Sequence, residues 1–247
     1  MWDDSNFSGS EFPLTRWSVV VAARSAEPDQ RQRALEVLIA AYWKPVYKYI
    51  RLHWRRENEE AKDLTQDFFY RLLEKDFLAS YEPKRSRLRT FLRVCVDRLI
   101  TNQDKASRRL KRGGEIEFQQ LDFESAEGEL RHIEIPSPGR VEDFFEREWM
   151  RSVFSLSLDR FRRHCEDSGK QMQFRMLQFY DIDDGGHDLT YQQVAQRFGL
   201  KRTDVTNYLA YARREFRKIV LEQLRDMTAT EEEFQREAQT LLGMKQR

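Results

Sequence analysis

The sequence predicts an all-α protein, and three observations carry that prediction. Leu64, Phe68 and Leu72 recur at four residues, while Leu88, Phe91, Cys95 and Leu99 recur at three and four. From Val141 onward, Phe145, Trp149, Val153 and Leu156 share one helical face. Between these stretches, Gly113-Gly114 and a Pro-Ser-Pro-Gly stop at 136–139 bound an acidic segment with little periodicity. The expected architecture is two small helical domains, residues 13–112 and 141–226, joined by an acidic flexible linker over 113–140. A helical tail, 227–247, follows. At 247 residues and 40% hydrophobic content, the chain has material for two modest cores.

In chain order, Pro45 marks a helix start or bend and Pro83 an inter-helix loop, because proline lacks the amide donor that a helix interior uses. The second domain holds a pair of shorter helices. Tyr191, Val194, Ala195 and Phe198 form one apolar face, Gly199 ends that helix, and Leu200 plugs the corner. The next helix has a stripe of Val205, Leu209, Ala212, Phe216 and Ile219. Two helices around a tight glycine turn make a helix-turn-helix. The tail reads as a short amphipathic helix, with Phe234, Ala238, Leu241 and Leu242 entered from three consecutive glutamates.

The net charge of +1 conceals segregation, since 43 basic and 42 acidic residues are distributed by segment. Cys95 and Cys165 lie far apart in helical patterns, which suggests neither a disulfide framework nor a zinc ribbon and fits a reducing cytoplasm. The longest apolar runs are too short to span a bilayer, so no membrane association is expected. His53, His132, His164 and His187 are scattered, and the run from Asp181 to Asp188 misses a calcium loop because Gly185 stands where a ligand is needed. No glycine-rich phosphate loop appears. The expectation is a protein without catalytic residues, metal or cofactor.

Three surfaces remain. On the second helix of the helix-turn-helix, Lys201, Arg202, Thr203, Thr206, Asn207, Arg213 and Arg214 lie opposite the apolar stripe. Small polar residues there can reach base edges while arginine and lysine neutralise phosphates. In the first domain Lys84, Arg85, Arg87, Arg89, Arg93, Arg98, Lys105, Arg108, Arg109, Lys111 and Arg112 face only Asp97 and Asp104 in the same stretch, the electrostatic footprint of a nucleic-acid backbone. Tyr81 and Phe91 offer a stacking surface for an unpaired base, and packing in the core is the alternative for Phe91. An upstream helix turns Asp63, Gln66, Asp67 and Arg71 outward, a polar face suited to a protein partner or simply to solvent.

In this order the pieces resemble an extracytoplasmic-function (ECF) sigma factor, the promoter-recognition subunit of bacterial RNA polymerase, over nearly the whole chain. "DLTQDFF" is similar to the region 2 helix that docks on the β′ clamp helices. "RLRTFLRVCVDRLITNQDKASRR" resembles the part of region 2 that recognises and melts the minus-ten element. "LTYQQVAQRFGLKRTDVTNYLAYARREFRK" resembles the region 4 helix-turn-helix that reads the minus-thirty-five element. "LTRWSVVVAAR", "AYWKPVY" and "KRGG" are similar to segments of a long group of such factors in Planctomycetes and Acidobacteria. The resemblance implies polymerase binding by Asp63, Leu64, Gln66, Asp67 and Phe69, with the β flap as a second polymerase contact. It implies minus-ten contacts by Tyr81, Lys84, Arg85, Arg87, Arg89, Thr90, Phe91, Arg93, Arg98, Lys105, Arg108 and Arg109, and minus-thirty-five contacts by the region 4 set named above. The chain departs from the family at Lys62, Phe91 and Arg98, and at Lys201 and Thr206, so base preferences do not carry over.

The partners expected are core RNA polymerase and promoter DNA, with an anti-sigma factor or a Ser/Thr kinase as regulator. Thr65 is the candidate phosphosite on the polymerase surface, with a buried or capping threonine as the alternative. The acidic linker, with Glu115, Glu117, Asp122, Glu124, Glu127 and Glu129, has three open roles: threading the polymerase channel, covering the basic face of the free protein, or disordered spacing. The tail binds a regulator or packs onto region 4. The competing function is a polymerase-independent helix-turn-helix regulator, for which the "DLTQDFF" face has no use.

Overall fold

The computed structural model describes residues 19–23, 25, 27–74, 77–106, 121–131, 141–183 and 188–242, and these are predominantly helical with no strand among them. After a single turn, α1 (Val19–Ala22), the long α2 (Pro28–Leu52) begins with proline in its first turn, where the missing amide costs nothing. The chain does not stop or restart at Pro45. That residue sits inside α2, held there because Ala41, Tyr42, Val46 and Tyr49 on either side of it are buried, and tertiary packing outweighs the lost backbone bond.

α3 (Asn58–Glu74) buries Leu64, Phe68 and Leu72 as the four-residue spacing requires. A short 3₁₀ turn (Phe77–Ser80) leads to the loop containing Pro83 and then to α4 (Leu88–Ala106). α4 turns Leu88, Leu92, Cys95, Val96 and Leu99 into the core, and Phe91 packs at its margin. Among the described residues no helix is long and apolar enough to cross a membrane.

The expectation of a flexible linker is corrected for residues 121–131, which contain a docked helix, α5 (Phe123–Leu130). Asp122 caps it by accepting from the Ser125 amide at 3.0 Å. Phe123, Ala126 and Leu130 are buried, and Phe123 meets Trp43 and Tyr47 edge-on at 5.4 and 5.1 Å. The acidic residues that suggested a spacer face cations of α2: Arg51 donates to Glu127 at 2.6 and 3.0 Å, and Lys44 and Lys48 pair with Glu129. Glu115 and Glu117 lie outside the described residues.

α6 (Val141–Asp167) is a single 27-residue helix that ties the two halves together. Its first half places Phe145, Trp149 and Val153 in the core built by α2 to α5. Its second half places Phe161 and Cys165 against α7 (Gln171–Leu177) and α9 (Arg202–Asp226). A π-helical turn (Gln178–Ile182) follows α7. α8 (Tyr191–Phe198) and α9 close a third core around Met176, Val194, Ala195, Val205 and Leu209. The tail helix, α10 (Glu231–Leu242), packs back on the first core through Phe234 and Ala238. That core therefore takes residues from both sides of the segment expected to separate two domains.

Candidate nucleic-acid interface

The helix pair α8–α9 is built locally by its caps. Thr190 accepts from the Gln193 amide at 3.3 Å while the Gln193 side chain accepts from the Thr190 amide at 2.8 Å, a reciprocal capping box. Gly199 ends α8 at φ 65°, a left-handed conformation in which other residues are strained, and the Leu200 amide reaches back to the Ala195 carbonyl at 2.9 Å. Asp204 accepts from the Lys201 amide at 3.2 Å and so tethers the start of α9. With Val205 and Leu209 buried, α9 leaves Lys201, Arg202, Thr203, Thr206, Asn207 and Arg214 exposed. Lys201 at the cap and Arg202, Thr203, Thr206 and Asn207 lie on the outer face of its first turns, where a groove-reading helix presents its contacts, and Arg214 continues that face two turns on.

Arg213 is different. Its guanidinium donates to both carboxylate oxygens of Asp181, at 2.9 and 2.7 Å, and to the Tyr191 hydroxyl at 3.3 Å. Those bonds hold its pKa above the ordinary arginine value. The residue expected to face DNA ties the π-helical turn to α8 and α9.

On α3, Asp63 and Gln66 are exposed, and Asp67 is half-buried between Arg71, at 2.9 Å, and Gln103. Leu64 and Phe69, expected at the polymerase surface, are core residues. Thr65 is corrected as a surface phosphosite: it is 0% exposed, and its hydroxyl donates to the Ala61 carbonyl at 2.7 Å. The buried alternative holds, because a threonine facing the core satisfies its hydroxyl on the preceding helical turn.

The basic stretch divides into exposed and occupied parts. Lys84, Arg85 and Arg98 are exposed, with Arg85 paired to Glu82 at 2.7 Å. Thr90, Phe91 and Arg93 are half-buried, Arg93 donating to Asp97 at 3.2 Å. Asp97 also accepts from the Tyr49 hydroxyl at 2.8 Å and the Trp54 indole at 3.0 Å. Tyr81 and Arg89 are corrected as open contacts: both are buried, Tyr81 beside Phe91 with ring centroids 5.3 Å apart, and Arg89 over the Trp149 ring at 4.8 Å. The Lys105 side chain and Arg108, Arg109, Lys111 and Arg112 lie outside the described residues.

No protein-family model, no curated protein and no solved structure matches this chain. The residues themselves carry the reading.

Those that sequence reasoning missed are acidic. Glu233 and Glu237 of α10 and Glu146 of α6 meet Tyr81, Arg87 and Arg89, and Asp181 holds Arg213. The signal available was the four-residue spacing of Glu233 and Glu237 next to Phe234 and Ala238, which sets a carboxylate row along the edge of the apolar stripe. Cys95 and Cys165 are buried, which pushes each thiol up to about 11 and keeps both protonated at neutral pH.

Proposed function

We propose that this chain is an extracytoplasmic-function-type sigma factor that binds core RNA polymerase and directs promoter recognition, strand opening and transcription initiation. The observation that carries the reading is the exposed polar and basic row on the first turns of α9, set behind a Gly199 turn, in a chain that also turns Asp63 and Gln66 of α3 to solvent. In this mechanism α3 docks on the β′ clamp helices, and α8–α9 meets the β flap and lays α9 in the major groove of the upstream element. A good base contact there supplies about 1–3 kcal/mol of discrimination, and each phosphate contact adds salt-dependent affinity. The α4 stretch captures unstacked bases, so that binding offsets an unpairing cost of a few kcal/mol. No covalent step occurs on the protein.

The test is capture of bacterial core RNA polymerase by wild type and by Asp63→Arg with Gln66→Ala, followed by run-off transcription on random-promoter DNA. Capture that the variant loses, with new start sites, is the expected result. The second reading, a polymerase-independent regulator, is favoured by the burial of Tyr81 and Arg89, which closes two of the expected strand-capture contacts while the α9 row stays exposed. Duplex binding without polymerase capture would establish that reading and overturn the first.

A further inference from the structure

The N-terminal end of α4 is occupied by carboxylates from the far end of the same chain. One oxygen of Glu233 accepts from the Tyr81 hydroxyl at 2.7 Å and from the Leu88 amide, one of the amides left free at a helix start, at 3.2 Å. Its other oxygen accepts from the Ala229 amide at 2.8 Å, and Thr230 caps α10 by accepting from the Glu233 amide at 3.2 Å. One turn on, Glu237 bonds to Arg89 and lies 3.7 Å from Arg87. Glu146 completes the cluster, accepting from Arg89 at 2.6 Å and from Arg87 at 3.3 Å.

Packing alone does not explain this chemistry. Phe234 and Ala238 already seat α10 on the core, while Leu241 and Leu242 stay half-buried, so the apolar footprint is modest. Burying carboxylates beside arginines is costly in desolvation, and apolar residues of similar size often serve stability as well or better. The groups that α10 engages, two arginines, a tyrosine hydroxyl and a free helix amide, are those that would hold a phosphate.

We propose that α10 is an intramolecular mask. Glu233 and Glu237 hold the anion site formed by the Leu88 amide, Tyr81, Arg87 and Arg89, and a single-strand phosphate takes that site when α10 withdraws. The mask rests on the nucleic-acid reading of α4 given above and adds its control: the free protein keeps its strand-capturing end closed while α9 stays open.

The test compares the full chain carrying Glu146→Gln, whose carboxylate on α6 otherwise keeps both arginines paired, with the same chain carrying Glu233→Gln and Glu237→Gln as well, each titrated with fluorescein-labelled mixed-sequence single-stranded DNA. Two freed phosphate contacts, each with a salt slope of about 0.7, steepen the slope by about 1.4 and tighten binding about 25-fold at about 0.1 M salt. Adding Arg87→Ala and Arg89→Ala should abolish the gain. Unchanged affinity and slope in a variant that melts as a folded protein overturns the mask. If the variant does not fold, amide exchange in the wild type decides. Loss of protection at Ala229 on adding the single strand, with α9 still protected, supports the mask; retained protection at Ala229 with the strand bound overturns it. Duplex binding through α9 with a flat single-strand response fails the mask alone. Absence of any DNA binding or polymerase capture by every variant fails the underlying functional reading.

Discussion

Replacing Arg213 by alanine is expected to loosen the helix-turn-helix rather than remove a DNA contact. The side chain makes two charge-assisted bonds to Asp181, at 2.9 and 2.7 Å, and a third bond to Tyr191. Buried bonds of this kind contribute about 1.5–3 kcal/mol, whereas exposed ion pairs contribute about 0–1 kcal/mol. With the two side chains 32% and 26% exposed, solvent screening sets the cost at the lower join of those ranges. Arg213→Ala should therefore cost about 1.5 kcal/mol, a fall in Tm of about 3–6 °C for a chain of this size. Asp181→Ala should cost about 1 kcal/mol and the double variant about 1.5 kcal/mol, leaving a coupling of about 1 kcal/mol. Urea denaturation followed by circular dichroism gives these values, and duplex-DNA affinity is measured on the same samples. Asp181→Asn, which removes the negative charge while keeping the side-chain shape, should reproduce part of the destabilisation. The reasoning is refuted if Arg213→Ala denatures like wild type with no coupling to Asp181 while its DNA affinity drops.

Two further outcomes test the docked helix α5. Phe123→Ala removes a ring packed on Trp43 and Tyr47 and should cost about 3 kcal/mol, the low end for a buried phenylalanine because α5 lies at the edge of the core. A loss in unfolding free energy below about 0.5 kcal/mol, from the urea midpoint and slope, would mean that α5 carries no packing energy. Acid should release the same helix. The Arg51 hydrogen bonds, assisted by Tyr47, hold the Glu127 carboxyl below the usual glutamate range. The unfolded chain therefore binds the proton more readily, and this contribution to stability is present above about pH 4.3 and lost as pH falls through the folded value. Glu127→Gln should flatten the dependence of stability on pH in that window, as read from urea midpoints between pH 3 and 6. An unchanged acid limb in the variant would assign the loss to other carboxylates.

Much of the helical framework was legible because local periodicity determines which face of a helix is apolar. Leu64, Phe68 and Leu72, the α6 row from Phe145 to Val153, and the α9 stripe from Val205 to Ile219 needed only the 3.6-residue repeat and its consequence for burial. The Gly199 corner was equally local, since a left-handed residue after an apolar run terminates a helix wherever that run packs. Pro45 does not start a helix, because its local penalty is smaller than the packing of a 25-residue helix through the core. The acidic segment misled for a related reason: charge suggested solvent, whereas Glu127 and Glu129 meet cations of α2 more than seventy residues earlier in the chain.

Interactions within a few residues account for most of the helices, their apolar faces, the helix-turn-helix and the polar row on α9, but not for the docked helix α5. Which charged residues are free depends on packing between helices distant in the chain. Arg89 and Arg213 read as cations available to DNA, yet each is bound to carboxylates on other elements, Arg89 across 148 residues. An isolated helix shows where a charge points; its partner is set by which distant helix the apolar stripes bring alongside. Phe234 and Ala238 carry the tail onto the first core, and Glu233 and Glu237 come to α4 with them.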